Sequence, residues 1–122
     1  MRINPKEAQA QAALFEWAVY AMAKYPELLL MFHIPNGGSR NAIEARNLKA
    51  QGVRAGVPDI CLPVPRGKYH GLFIELKRRN GGKVSEEQQG WIAALNRVGY
   101  LAVVCYGFDD AVRTIKDYLE EV

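Results

Sequence analysis

The chain has 122 residues, 49% of them hydrophobic, which supplies the core of one domain and leaves no room for a second. No run of 18 apolar residues exists, and the first residues lack the apolar stretch of a signal peptide. The sequence therefore argues against membrane-spanning and secreted classes. It predicts a soluble, intracellular protein, cytoplasmic if bacterial or phage-encoded.

The net charge of +3 is unevenly distributed along the chain. Residues 40–83 contain ten Lys and Arg against three acidic residues, a net charge of +7, whereas the remainder carries −4. A basic segment of this kind is typical of surfaces that bind a phosphate backbone. An ordinary solvated face has the same composition, so both interpretations stay open.

The first predicted element is a helix over residues 5–24. Asn4 is a suitable N-cap, and Pro5 occupies the first helical position, where its missing N–H costs nothing. The spacing of apolar residues predicts a buried stripe formed by Ala8, Ala12, Phe15, Val19 and Met22.

A strand, a loop and a second helix are predicted next. The apolar run over residues 28–34 has the length of a strand, and the turn formers over residues 35–39 indicate a loop. Residues 40–51 predict a basic helix that ends at Gly52. Because this helix has few apolar positions, we expect it to lie on the surface or to contact a ligand.

The middle of the chain predicts a hairpin. Residues 59–64 and 72–76 are two short apolar runs, and residues 65–71 between them have the composition of a turn. Cys61 lies in the first run and Cys105 in a later one, without the spacing of metal ligands, so both are expected in the core.

The last third predicts helix, strand and helix. Ser85 and Gln88 form a capping box that opens a helix over residues 85–98. A strand is predicted over residues 101–106 and a helix over 108–119. The order α-β-α-β-β-α-β-α predicts an α/β fold of three layers, in which helices flank a mixed central sheet.

Three charged residues lie on the strand-like runs of the hairpin. Asp59 opens the first run, and Glu75 and Lys77 alternate with Ile74 and Leu76 in the second, which places the two charges on one face. Burying an unpaired charge costs roughly several kcal/mol or more. Charged residues on such strands therefore indicate a function that offsets this cost. Carboxylate pairs hold hard cations such as Mg2+ or Mn2+, so the sequence predicts a metal site.

The pattern of Pro58-Asp59 followed by Glu75-Leu76-Lys77 resembles the PD-(D/E)XK nuclease motif. More specifically, the chain is similar over nearly its whole length to VRR-NUC domains, the virus-type replication-repair nucleases. Four further matches carry this resemblance: Glu16 on the first helix, the His33-Ile34-Pro35-Asn36-Gly37-Gly38 run, the Gly52 to Asp59 segment, and Ser85-Glu86-Glu87-Gln88.

The resemblance implies one VRR-NUC-like nuclease domain over residues 1–122, with a restriction-endonuclease-like fold. It also implies Mg2+- or Mn2+-dependent hydrolysis of DNA phosphodiesters. Asp59, Glu75 and the Leu76 carbonyl would be metal ligands, with Lys77 beside the attacking water, which it would orient or deprotonate. Glu16 would be an additional metal-facing acid, and Gln88 would complete the catalytic site.

Three of these roles have a structural alternative. Glu16 is the only charged residue between Ala12 and Ala23, yet a carboxylate at the edge of an apolar stripe also reaches water there. Gln88 is equally well explained as part of the capping box. Lys77 as a salt-bridge partner of Glu75 alone is disfavoured, because burying a lysine for that purpose is costly.

Basic residues of the central segment are the predicted contacts to DNA. Asn36 belongs to a loop whose backbone N–H groups can cradle a phosphate, although a simple turn explains that loop as well. The predicted substrate-binding residues are Asn36, Arg40, Arg46, Lys49, Arg54 and Arg78. We expect them to contact backbone phosphates and not to read bases.

The leading hypothesis is a DNA endonuclease with little sequence specificity that acts in DNA repair on branched substrates such as Holliday junctions. By analogy, such a small chain is expected to pair as a homodimer that addresses two strands. The alternative is a nucleic-acid-binding module that kept the nuclease fold without catalysis. A modification-linked restriction enzyme is disfavoured, because no target-recognition segment is present.

Overall fold

A four-stranded mixed sheet organises the chain, which a computed structural model describes over residues 5–35 and 41–121. The strands in spatial order are β1 (Phe32–His33), β2 (Ile60–Leu62), β3 (Leu72–Lys77) and β4 (Leu101–Tyr106). The first two pairings are antiparallel, whereas β3 and β4 run parallel. Parallel neighbours require a crossover connection, and a helix supplies it here.

Within the described ranges, four α-helices accompany the sheet. They are α1 (Pro5–Ala21), α2 (Ala42–Ala50), α3 (Glu86–Arg97) and α4 (Phe108–Leu119). The predicted order and the α/β class are therefore confirmed. None of the helices in the described ranges is both long enough and apolar enough to cross a membrane.

The alternation of side chains along β3 gives the sheet two different faces. Leu72, Ile74 and Leu76 belong to the hydrophobic core, which also contains buried residues of α1 and α4. Glu75 lies on the opposite face, where it contacts Gln88 of α3. One face is thus the apolar core, and the other is the place where charged groups of the strand gather.

Several predicted elements agree with the structure in detail. The hairpin of β2 and β3 is antiparallel, and β4 and α4 have the predicted bounds. The capping box of α3 is present, with both of its hydrogen bonds between Ser85 and Gln88. Cys61 and Cys105 are buried, as expected for core residues.

The prediction of one strand over residues 28–34 is wrong in its first half. A 3-10 helix covers Pro26–Leu30, and only Phe32–His33 pairs as a strand. Pro26 has the fixed φ that suits the first turn of a helix. An apolar run cannot by itself distinguish a strand from a short helix, and here only Leu28 is buried while Leu29 is 74% exposed.

The prediction for α1 is wrong for its last residues and for part of its buried face, although Phe15 and Met22 of the predicted stripe do pack against the core. The helix ends at Ala21, three residues before the expected end, and its buried residues are Leu14 and Ala18. Ala8 and Ala12 of the predicted stripe are exposed, and Val19 is 64% exposed. The true face is rotated because Leu14 and Ala18, one turn apart, fill the core above the sheet.

The loop before β2 packs tightly against the start of α3. Gly56 has φ of +90°, and a Cβ atom built on it would lie 2.6 Å from the Glu87 carbonyl carbon. Only a residue without a side chain permits this approach. The contact holds the segment that leads into Asp59 against the turn of α3 that carries Gln88.

We predict that Gly56→Ala lowers the free energy of unfolding by about 2 kcal/mol or more, because it adds a backbone clash to the strain of positive φ. Gly52→Ala is the matched control, since Gly52 has φ of +106° but open space around its Cβ position. It should cost only about 1 kcal/mol, from strain alone. Urea unfolding of both variants measures the difference, and equal losses would contradict the packing described here.

Candidate active site

Asp59 directly precedes β2 and lies opposite Glu75. The register pairs Ile60 with Ile74, and its continuation by one residue brings Asp59 across from Glu75. The Leu76 N–H donates a hydrogen bond to Asp59 Oδ2 at 2.8 Å. Burial raises the pKa of Asp59, and this hydrogen bond opposes the rise. The Asp59 side chain thus extends the hydrogen-bond ladder by one residue before β2 begins.

Glu75 is buried in the middle of β3, with only 2% of its surface exposed. Its Oε2 accepts a hydrogen bond from Gln88 Nε2 at 3.0 Å and lies 3.5 Å from Lys77 Nζ. Its Oε1 is buried and has no hydrogen-bond partner among the described residues. Burial and the charge of Asp59 raise the pKa of Glu75 to about 8, against the opposing effect of Lys77.

Gln88 both caps α3 and contacts Glu75. Its Oε1 accepts the Ser85 N–H at 2.9 Å, and its Nε2 donates to Glu75. Because a backbone N–H can only donate, the cap fixes which end of the amide is oxygen and therefore which end faces Glu75. The N-terminus of α3 is in this way tied to the carboxylate on β3.

Lys77 completes a row of polar groups on the face of the sheet opposite the core. It is only 8% exposed, two residues from Glu75 on the same face of β3. Its carbonyl oxygen accepts the Gly107 N–H at 2.9 Å, which anchors the end of the strand. A buried ammonium group beside a buried carboxylate is costly to maintain, so the pair marks this face as a candidate functional site.

The two carboxylates fit a hard divalent cation. Asp59 and Glu75 present oxygen donors from neighbouring strands, and Glu75 Oε1 is a buried acceptor without a partner in the described chain. Such an unpaired buried oxygen carries a desolvation penalty that a cation would relieve. Within residues 5–35 and 41–121, however, no three His, Cys, Asp or Glu side chains gather into a metal-holding group.

Glu16 does not join these residues, contrary to the sequence prediction. It is exposed, and it lies two positions from both Leu14 and Ala18, the buried residues of α1. Two positions correspond to about 200° around a helix, so Glu16 points away from the core side. The prediction failed because it assumed the wrong buried stripe for α1.

Glu7 is the acidic residue of α1 that reaches the sheet. Its Oε2 accepts the Arg78 N–H at 3.3 Å, next to Lys77. Sequence reasoning missed Glu7, because an acid in the first turn of a helix is already explained by the helix dipole. Glu7 lies two full turns before Leu14 and so lies on the same side of the helix. A prediction that placed Leu14 in the buried stripe would therefore have pointed to Glu7.

His33 is a second neighbour of the site that the sequence did not assign. Its Nδ1 lies 2.8 Å from the Asp59 carbonyl oxygen. A carbonyl oxygen only accepts, so Nδ1 is the donor, and in a neutral ring Nε2 is then the unprotonated nitrogen. The Ile34 N–H donates to the same oxygen at 2.7 Å. Together they fix the backbone of Asp59 from β1.

The predicted substrate-binding residues are only partly located. Asn36 and Arg40 fall outside the described residues. Arg46 and Lys49 are exposed on α2, a helix without any buried residue, and Arg54 follows it in an exposed position. Their contact with DNA stays a prediction.

Two comparisons with known proteins agree with the resemblance seen in the sequence. The VRR-NUC domain family matches residues 5–109. A solved structure described as a VRR_NUC domain protein superposes with a TM-score of 0.80 and 31% sequence identity. That match covers 96% of this chain and 90% of the other. Curated proteins give no match to the chain.

We predict that Glu75→Gln stabilises the metal-free protein, and increasingly so as the pH rises. The pKa of Glu75 is raised from 4.5 to about 8 on folding, so wild type loses stability as the pH rises between these values. Glutamine does not titrate. At pH 8 in EDTA we expect the variant to be more stable by about 2 kcal/mol, a gain absent near pH 4.

Chemical denaturation at both pH values measures this effect. Glu44→Gln is the control, because Glu44 is an exposed glutamate of α2. It should change stability little at either pH. A Glu75→Gln variant that is less stable than wild type at pH 8 would contradict a strained buried carboxylate.

Proposed function

Because the chain belongs to the VRR-NUC domain family, we propose that it is a nuclease that hydrolyses phosphodiester bonds within DNA and requires Mg2+ or Mn2+. One observation carries the proposal: Asp59, Glu75 and Lys77 lie together beside α3, and a buried oxygen of Glu75 has no partner in the described chain. A fold that needed only stability would place apolar residues there.

Three groups of the chain would hold the ion: the carboxylates of Asp59 and Glu75 and the Leu76 carbonyl. When bound, the ion would supply Lewis-acid stabilisation of the charge on the phosphate and a lowered pKa for the attacking water. Asp59 is kept in place by the Leu76 N–H, and Glu75 by Gln88. Both ligands are thus held by neighbouring elements before any substrate arrives.

Lys77 is the group that acts on the water and the phosphate. Its Nζ lies beside Glu75, so a hydrolytic water near these two residues can hydrogen-bond to the amine. As the water oxygen attacks phosphorus and the bond to the leaving oxygen breaks, Lys77 offsets the negative charge that develops. Glu7 of α1 holds the backbone that follows Lys77, a different role from the metal-facing one that the sequence assigned to Glu16.

The substrate that fits this surface is DNA contacted mainly through its phosphates. The segment 40–83 carries a net charge of +7, and the exposed Arg46, Lys49 and Arg54 supply part of it. Phosphate contacts give affinity without sequence information. We therefore propose a nuclease with little sequence specificity that cuts branched DNA, such as Holliday junctions, during DNA repair.

A binding module without catalysis is the rival. The carboxylates of Asp59 and Glu75 speak against it, because a protein that only binds DNA gains nothing from acids that repel phosphate. Both readings expect binding, so cleavage decides between them.

We predict that the purified protein cleaves duplex, nicked, flap or four-way DNA in Mg2+ or Mn2+ and not in EDTA. Asp59→Ala and Lys77→Ala should each lower the cleavage rate by about 100-fold or more, the usual effect of removing an essential acid, base or charge-stabilising group. Single-turnover cleavage of labelled DNA measures the rates. Lys116→Ala, an exposed lysine on α4, is the control and should cleave as wild type does.

Equal trace cleavage by wild type, Asp59→Ala and Lys77→Ala on every substrate would overturn the nuclease proposal. Binding of the same substrates without cleavage by wild type would favour the binding module instead.

We also propose that two copies of the chain pair as a homodimer. Five large apolar side chains are at least 47% exposed within the short stretch from the end of α1 to β1, namely Val19, Tyr20, Leu29, Leu30 and Phe32. The adjoining strand β1 is at the edge of the described sheet, so its outer backbone groups can pair with another strand. A two-fold pair would bring two active sites to one branched substrate.

We predict that light scattering after size exclusion gives the mass of two chains, and that Leu29→Asp shifts it toward one. Ile43→Asp is the control, because Ile43 is 69% exposed on α2, outside the apolar stretch. A single-chain mass for wild type at every concentration, with and without DNA, would rule out the homodimer.

A further inference from the structure

A cavity of about 550 Å³ lies beside the active site, at the ends of β3 and β4. Its lining includes four basic and two aromatic side chains: Lys6, Arg78, Arg79, Arg113, Tyr106 and Phe108. They come from α1, from the segment after β3, and from β4 and α4. The cavity is large enough for one nucleotide and too large for a phosphate group alone.

The lining of this cavity favours an anion. It contains four basic side chains and two acidic ones, Asp109 and Asp110. Asp110 is already engaged, because its carboxylate pairs with Arg113 and accepts the Tyr106 N–H at 2.8 Å. Positive charge therefore predominates at the cavity wall. Of the four basic side chains, only Arg78 and Arg79 belong to the basic segment 40–83.

Two residues of the lining also belong to donor groups for which the described chain shows no side-chain partner. Arg78 Nε is buried and has no hydrogen-bond partner in the described chain, while its Nη2 is held by the Gly81 carbonyl at 2.9 Å. The helix α4 begins at the cavity wall, and no side chain caps its N-terminus at Gly107. A helix start adds free N–H groups and the positive end of the helix dipole.

Tyr106 and Phe108 provide the apolar part of the lining. Tyr106 is 43% exposed at the end of β4, so one side of its ring is available to a base or a sugar. Aromatic rings beside arginine side chains are the usual combination in sites for single-stranded nucleotides. The cavity thus has a place for each part of a nucleotide.

The cavity is connected to Lys77 through the backbone. Gly107, in the cavity wall, donates its N–H to the Lys77 carbonyl at 2.9 Å. Arg78 follows Lys77 directly, and its N–H is held by Glu7 of α1. The cavity therefore adjoins the end of β3 at which Lys77 lies.

We propose that the cavity binds one nucleotide of the cleaved strand, with a phosphate at Arg79, Arg113 and the Arg78 guanidinium, and the base or sugar against Tyr106. This inference rests on the proposed nuclease function and adds a substrate subsite to it. The phosphate is either a diester within the strand or a monoester at its end. Both present anionic oxygens that accept hydrogen bonds from arginine.

The experiment measures DNA binding and cleavage by Arg79→Ala, Arg113→Ala and the double variant. Lys116→Ala is the charge-matched control, since Lys116 lies one turn beyond Arg113 on α4 and does not line the cavity. We expect the double variant to raise Kd and KM about tenfold and to lower the salt dependence of binding by about one to two phosphate contacts. Its kcat at saturating DNA should stay close to that of wild type.

Three DNAs distinguish the two sources of the phosphate. They are a closed dumbbell without ends, a linear duplex with terminal hydroxyls, and the same duplex with terminal phosphates. A tenfold loss on all three identifies an internal phosphate, and a loss confined to the phosphorylated duplex identifies a terminal one. Binding by the double variant that equals that of Lys116→Ala on all three DNAs would overturn the subsite.

Failure of the subsite and failure of the nuclease proposal give different results. If wild type cleaves and the double variant has unchanged Kd and KM, only the subsite is wrong. If wild type binds DNA but cleaves none, the nuclease proposal is wrong, and the subsite proposal that depends on it is wrong as well. Tyr106→Ala adds a second readout, with an expected loss of affinity for single-stranded ends and no change in the salt dependence.

Discussion

The burial of the Glu75 carboxylate is the constraint on which the rest of the site depends. A charged group in the middle of a strand is destabilising unless its oxygens find partners. Gln88 and Lys77 share one oxygen, whereas the other has no partner in the described chain. The fold thus carries a cost at this position, and the raised pKa of Glu75 is its physical sign. Functional sites commonly contain groups whose burial lowers the stability of the fold.

The surrounding elements are arranged to hold that carboxylate and its neighbours. The capping box sets the start of α3 and at the same time aims the amide of Gln88 at Glu75. Gly56 allows the loop before β2 to approach Glu87 of α3 closely, three residues before Asp59 and one residue before Gln88. Local rules for a helix N-terminus and for a tight turn therefore have direct consequences for the chemistry of the site.

The errors of the sequence analysis have a common physical origin. Periodicity shows that a segment is amphipathic, but not which of two adjacent stripes is buried when small apolar residues occupy both. In α1 this ambiguity placed Glu16 toward the site and overlooked Glu7. The same limit applied to residues 28–34, where an apolar run has no preferred period and Pro26 began a 3-10 helix instead.

By itself, the sequence determined the class, the order of elements and the three charged residues of the hairpin on which the candidate site is built. Asp59, Glu75 and Lys77 were identifiable because charged residues are rare on buried strands. Ser85 and Gln88 were identifiable because a capping box is defined by residues close together in the sequence. Only the tertiary structure decided that the Gln88 side chain both caps α3 and contacts Glu75, that Glu7 and His33 adjoin the candidate site, and that four basic side chains line one cavity. Those contacts join residues far apart in the chain, so packing sets them.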